Sequence, residues 1–101
     1  MAFQSFRDLV AWQKSMELSV VVYTVTAGFP NTEQFGLMSQ MRRAVVSVPS
    51  NLAEGQERGK HDDFRRFVYM ARGSLHEFET QIGLSERLEF LNKEEANPLI
   101  E

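Results

Sequence analysis

The sequence predicts an all-α fold: an antiparallel, up-and-down bundle of the four-helix type, with a shortened fourth helix, as one domain over residues 1–101. Three observations carry this expectation. Apolar residues recur at spacings of three and four over long stretches. Short turn signals, Gly28-Phe29-Pro30-Asn31 and Gly55 to Gly59, separate those stretches. Alternation of period two, internal repeats and low-complexity segments are all missing from the sequence.

The first helix is expected from Ser5 to Ala27. Ser5 suits the N-cap, and Asp8 follows three residues later near the positive helix end. Phe6, Leu9, Met16, Val20, Tyr23 and Ala27 form the predicted buried stripe, widened by Val10, Leu18, Val21 and Val25. The run from Val20 to Val25 has strand propensity. Helix is nevertheless expected, because the upstream period continues through it and no turn signal interrupts it. Gly28 and Pro30 end it.

The second helix is expected to open at Asn31 or Thr32 and to run to about Glu57. Pro49 should kink it, since proline removes one intrahelical hydrogen bond and crowds the preceding turn. Ser47 and Ser50 lie close enough to re-satisfy backbone groups there. Met38, Met41, Val45, Val48 and Leu52 mark an apolar face. Arg43, Ser47, Ser50, Asn51, Glu54 and Arg58 recur at helical spacing on a second, polar face. A soluble helix needs only its apolar face specified, so the polar row is where assembly or function would sit. Gly55 and Gly59 punctuate the exit.

The third helix should begin near His61 or Asp62. Phe64, Phe67, Val68, Ala71, Leu75, Phe78, Ile82 and Ser85 follow a bundle-type spacing that continues to Leu88 or Glu89. Gly73 and Ser74 are small enough to admit another helix. Asn92-Lys93-Glu94-Glu95 looks like the cap of a fourth helix, which Pro98 then interrupts.

Composition narrows the function classes. The chain has 43% hydrophobic and 25% charged residues and no cysteine, so disulfides and thiolate metal sites are excluded. No apolar run approaches the length of roughly 20 residues needed to span a bilayer, and the first residues lack a signal-peptide pattern. The expectation is a cytoplasmic protein without a membrane partner. Net charge is −3, against whole-surface attraction to nucleic acid. Its distribution is uneven, +3 over residues 42–72 and −5 over residues 77–101.

Arg42, Arg43, Arg58, Lys60, Arg65 and Arg66 are the candidates for a phosphate-contacting patch at the two ends of the helix 2–3 hairpin. The bland reading is a solvated face neutralised by nearby acids, with Phe64 and Phe67 in the core. Glu54 and Arg72 are the candidates for an ion pair fixing the register of the two helices, on a contact face with Ser47, Ser50 and Asn51.

Catalysis finds little support. Gly55-Gln56-Glu57-Arg58-Gly59-Lys60-His61 falls one residue short of a phosphate-binding loop and follows no strand. His61 and His76 lack the partner spacing of a metal site. Ser47, Ser50 and Ser74 have no evident histidine–carboxylate set. The expectation is no enzyme, no cofactor, no metal and no small-molecule substrate.

Several blocks together resemble a known family. They are Phe6-Arg7-Asp8-Leu9 with Trp12-Gln13-Lys14; Phe29-Pro30; Phe35-Gly36-Leu37 with Ser39-Gln40; Arg42-Arg43-Ala44; the run from Ser47 to Gly55; and Ala71-Arg72-Gly73-Ser74-Leu75 with Glu77. In this order they resemble the bacterial four-helix-bundle proteins encoded in intervening sequences of 23S ribosomal RNA genes, sometimes labelled S23 ribosomal proteins. The resemblance covers about residues 6–92. It implies an antiparallel bundle assembled as a ring-shaped homopentamer, without established biochemical activity. It also implies kinship with the accessory protein of diversity-generating retroelements, a basic pentamer that binds nucleic acid.

The resemblance implies no catalytic residues. Two departures stand out: the chain is acidic, and its fourth helix is shorter than the family's. A bundle short of one helix exposes an apolar groove that needs a cover. The sequence therefore supports a homo-oligomeric scaffold or adaptor, with a nucleic-acid-binding accessory factor, for RNA or DNA, as the alternative.

Overall fold

The computed structural model describes residues 5–100. Four α-helices form the molecule: α1 (Val10–Thr26), α2 (Leu37–Glu57), α3 (His61–Arg87) and α4 (Lys93–Ile100). Single 3-10 turns precede α1 (Phe6–Asp8) and α2 (Asn31–Glu33). No strand occurs among the described residues.

The predicted first helix begins later than its cap. Ser5 does cap: its Oγ accepts from the Arg7 N–H at 3.1 Å, and the Asp8 carboxylate accepts from the Ser5 N–H at 3.3 Å. The capped element is the 3-10 turn, however. Leu9 is extended (φ −71°, ψ 124°), and α1 starts afresh at Val10. The start of α2 is delayed for a similar reason. Gly36 leaves helical geometry, and the Glu33 carboxylate accepts from the Leu37 N–H at 3.0 Å, filling the cap position.

Pro49 lies buried inside α2, which continues on both sides of it. Ser50 Oγ donates to the Val46 carbonyl at 2.9 Å and Asn51 Nδ2 to the Ser47 carbonyl at 2.8 Å. These side chains bond the backbone around a residue that has no N–H to give. Gly59 ends the hairpin at φ 74°, a left-handed position that favours glycine. Gly55, expected at the exit, lies within α2 and serves packing instead. A Cβ there would stand 2.7 Å from Phe67 Cβ, so the missing side chain is what lets α2 and α3 close.

The third helix keeps its predicted stripe: Phe67, Ala71, Phe78, Ile82 and Ser85 are buried. Leu88 falls outside it, 49% exposed, because α3 ends at Arg87 and Glu89 turns the chain at φ 62°. The fourth helix has the expected cap, with Asn92 Oδ1 accepting from the Glu95 N–H at 2.8 Å and the Glu95 carboxylate accepting from the Asn92 N–H at 3.0 Å. Pro98 does not stop it; α4 runs through to Ile100.

The layout is a central α2 with α1 on one side and α3 on the other. No pair of Cα atoms from α1 and α3 comes within 8 Å among the described residues. The main core lies where all four helices meet, with Val22, Met41, Val45, Phe78 and Ile82 against Leu91, Ala96 and Leu99. A smaller cluster of Val48, Leu52 and Ala71, flanked by Trp12, Val68 and Leu75, lies toward the other end. The short α4 covers only part of the trough between α1 and α3. What remains is the expected apolar groove, a cavity of about 510 Å³ lined by Leu18, Val21, Val48, Leu52, Leu75 and Leu99.

The buried face of α1 overturns the predicted stripe. Ser15, Ser19, Val22 and Thr26 are buried, whereas Val10, Met16, Val20, Val21 and Tyr23 are exposed. The physical reason is that small residues let α2 approach closely, and their hydroxyls cost nothing once bonded. Ser15 Oγ donates to the Trp12 carbonyl (2.9 Å), Ser19 Oγ to Ser15 (2.8 Å) and Thr26 Oγ1 to Val22 (2.7 Å). No helix of the described residues is long and apolar enough to cross a membrane.

Candidate functional site

The polar row of α2 divides into three kinds of residue. Ser47 and Asn51 turn to α3: Ser47 Oγ and Ser74 Oγ share a hydrogen bond of 2.9 Å, and Asn51 Nδ2 donates to Ser47 Oγ at 3.0 Å. This small network ties α2 to α3 side by side. Ser50 is exposed and bonds its own helix. Glu54 does not reach Arg72, which corrects the expected ion pair. Its Oε1 lies 3.1 Å from Arg58 Nη2, one turn along the same helix, and both side chains are about half exposed. Residues four apart on one helix are neighbours already, so the local pair forms without crossing to α3. An exposed pair of this kind contributes only tenths of a kcal/mol, about 0.3–0.5. No ion pair of Arg72 occurs among the described residues.

The six basic candidates do not form one patch. Arg42 faces inward to α1: its Nε donates to Thr26 Oγ1 (2.9 Å), its Nη2 to the Tyr23 carbonyl (3.1 Å), and its guanidinium stacks on the Tyr23 ring at 4.4 Å. It pins α1 to α2. Arg43 is exposed and its guanidinium has no partner among the described residues. Arg58 and Arg66 both stack on Phe67, each 4.9 Å from the ring centroid, and Arg66 approaches Asp63 at 3.8 Å. Arg58, Lys60, Arg65 and Arg66 thus gather at the α2–α3 turn. Arg42 lies sixteen residues from Arg58 on α2, about 24 Å away at 1.5 Å per residue. Helix length, which spacing along the sequence does not advertise, splits the set in two.

The glycine-rich turn offers little chemistry. Gly55, Gln56, Gly59, Lys60, His61 and Phe64 line a cleft of about 220 Å³ between two helices. A phosphate-binding loop needs a strand before it, and α2 stands there instead. Among the described residues no three His, Asp or Glu side chains gather to hold a metal ion.

The surface with the most to explain is apolar. Met16, Val20 and Tyr23 of α1 and Val46 of α2 line a shallow cleft of about 340 Å³ on the outer side of the α1–α2 pair. Val10 and Val21 are also exposed on α1, at 62% and 43%. On α3, Tyr69, Met70 and Leu84 are exposed, as is Leu88 just past its end. Between them stand Gly73, Glu77 and Thr80, also exposed. A Cβ built at Gly73 would meet nothing within 4 Å. Beside it, Gln81 Nε2 donates weakly to Glu77 (3.4 Å), and Gln81 Oε1 is buried without a donor among the described residues.

The sequence reading missed the outward row of α1 by assigning it to the core. The signal lay in Ser15, Ser19 and Thr26, a second stripe at helical spacing made of small residues. Comparison with known proteins adds one match. A family model described as 23S rRNA-intervening sequence protein matches residues 7–101. No curated protein matches the chain.

Proposed function

Because the chain belongs to the 23S rRNA-intervening sequence protein family, we propose that it works by self-assembly, as a non-enzymatic, homo-oligomeric scaffold or adaptor of the cytoplasm. A ring of five copies is the form its resemblance to that family implies. The observation that supports the reading is α1. Helices that are apolar on several sides are buried in the structures they serve. In one copy α1 buries only its narrow Ser15–Ser19–Val22–Thr26 strip, and Val10, Met16, Val20, Val21 and Tyr23 face outward. Contiguous apolar surface of this kind marks an interaction site. Further copies of the chain supply the cover.

Light scattering on the eluting protein at micromolar concentration tests this. The expected mass is several-fold above the 11.6 kDa of one copy. Val20→Asp, which puts a charge at a site 66% exposed in one copy, should shift the mass toward the monomer while leaving helix content intact. A wild-type monomer overturns the reading.

A second reading rests on Arg58, Lys60, Arg65 and Arg66 at the α2–α3 turn, with the exposed Tyr69 one turn beyond. Basic side chains beside an exposed aromatic suit single-stranded nucleic acid, and repetition around a ring would multiply them. The −5 balance of residues 77–101 opposes this attraction.

A further inference from the structure

We propose that the first turns of α3 form a base-reading cleft for single-stranded nucleic acid: Tyr69 stacks one base, Asp62 accepts from that base's exocyclic amino group, and Arg65 takes its phosphate. The inference rests on the nucleic-acid reading above, not on self-association, and adds which parts of the strand are read. Asp62, Arg65, Arg66, Tyr69 and Met70 line one shallow cleft of about 550 Å³. They share it because residues three, four and seven apart on a helix stand on one face. Helix side chains lean toward the N-terminus, so the Tyr69 ring leans over the turn of Arg65 and Arg66, toward Asp62.

The cleft keeps opposite charges apart. Asp62 and Arg65 are three residues apart, a spacing at which helix side chains pair. Neither has a hydrogen bond or an ion pair among the described residues. An unused carboxylate, an unused guanidinium and an aromatic ring 61% exposed therefore border the same space. A ligand that answers all three carries an amino group, an anion and a flat face. A nucleotide carries them together.

The neighbouring phosphates find holders as well. Arg58 and Arg66 both stack on the buried Phe67, each 4.9 Å from its ring centroid. Their guanidiniums therefore stand no further apart than twice that distance. Stacking leaves the in-plane N–H donors open, apart from those turned to Glu54 and Asp63. One ring thus holds two cations beside the cleft, since Arg66 also lines it. A duplex does not fit this arrangement, because its bases are stacked on one another and closed to Tyr69.

Asp62 selects the base. Cytosine offers an amino donor at N4, where uracil offers a carbonyl oxygen that a carboxylate repels. Fluorescence anisotropy at low salt tests this, with the full chain and labelled strands of oligo-deoxycytidine and oligo-deoxyuridine. The cytidine strand should bind about fivefold tighter, the size of one hydrogen bond. Asp62→Asn should bring the two strands level, because an amide accepts from the amine and donates to the carbonyl. Tyr69→Ala should weaken both strands about tenfold. Both positions are exposed, so neither variant endangers the fold.

Equal affinity for the two strands, a preference for uridine, or a cytidine preference that survives Asp62→Asn overturns the base reading. So does full affinity in Tyr69→Ala, or a duplex that binds as tightly as the single strands. Each of these leaves the basic turn standing as a phosphate-binding surface. Binding of no strand at low salt overturns both.

Discussion

A side chain added at Gly55 and one added at Gly59 would fail for different reasons. At Gly55 the obstacle is another atom: the new Cβ would lie 2.7 Å from Phe67 Cβ and 3.4 Å from Phe64 Cα. Gly55→Ala should cost about 1–3 kcal/mol, the usual range for overpacking. At Gly59 there is room, and the obstacle is φ 74°. Gly59→Ala should cost about 1 kcal/mol, and Gly59→Asn less, since asparagine tolerates the left-handed region. Urea unfolding would show both alanine variants with lower midpoints and unchanged slopes, and partial recovery only for asparagine at 59. The caps Ser5 and Asn92 were legible in the sequence because capping is local, decided within four residues. The partner of Glu54 was misread: Arg58 lies four residues on along the same helix, whereas a pairing with Arg72 depended on where α3 would stand.

The fourth helix is the element most dependent on its ends. Eight residues are too few to hold a helix alone in water, so α4 relies on the Asn92–Glu95 box and on burying Ala96 and Leu99. Asn92→Ala should cost about 1 kcal/mol. Hydrogen exchange would show it as an about fivefold faster opening of α4 amides, with α2 and α3 unchanged. The period of α3 gave its buried face correctly because its outward side carries Arg65, Arg66, Arg72 and Glu79, and the contrast is clear. The period of α1 misled because exposed valines, Val10, Val20 and Val21, are interleaved with Gln13, Lys14 and Glu17, so hydropathy set no clean face against another. The decisive contrast there was size rather than polarity.

At the scale of the molecule, the four-helix architecture and the uncovered groove were legible, and the arrangement of its charges was not. The basic side chains of the α2–α3 turn lie at one end of a body 45 Å long. If nucleic acid binds there, its affinity should fall steeply between about 50 and 200 mM salt, by about tenfold or more for a few phosphate contacts. Lys60→Glu with Arg65→Glu should abolish it without changing the assembled mass. Filter binding at several salt concentrations checks this, and an affinity indifferent to salt would remove the second reading.

The separation of α1 from α3 has a consequence for the lifetime of a single copy. A lone subunit holds α1 mainly through α2, with α4 beside it and Val22 reaching into the shared core. That makes α1 the long helix with the lowest opening free energy, and the one whose apolar residues a protease or a chaperone meets first. Assembly of the kind proposed would close that route by burying the same residues. Copies synthesised in excess of complete assemblies would then be the ones left open to clearance, and the fold itself would limit how many unassembled subunits persist.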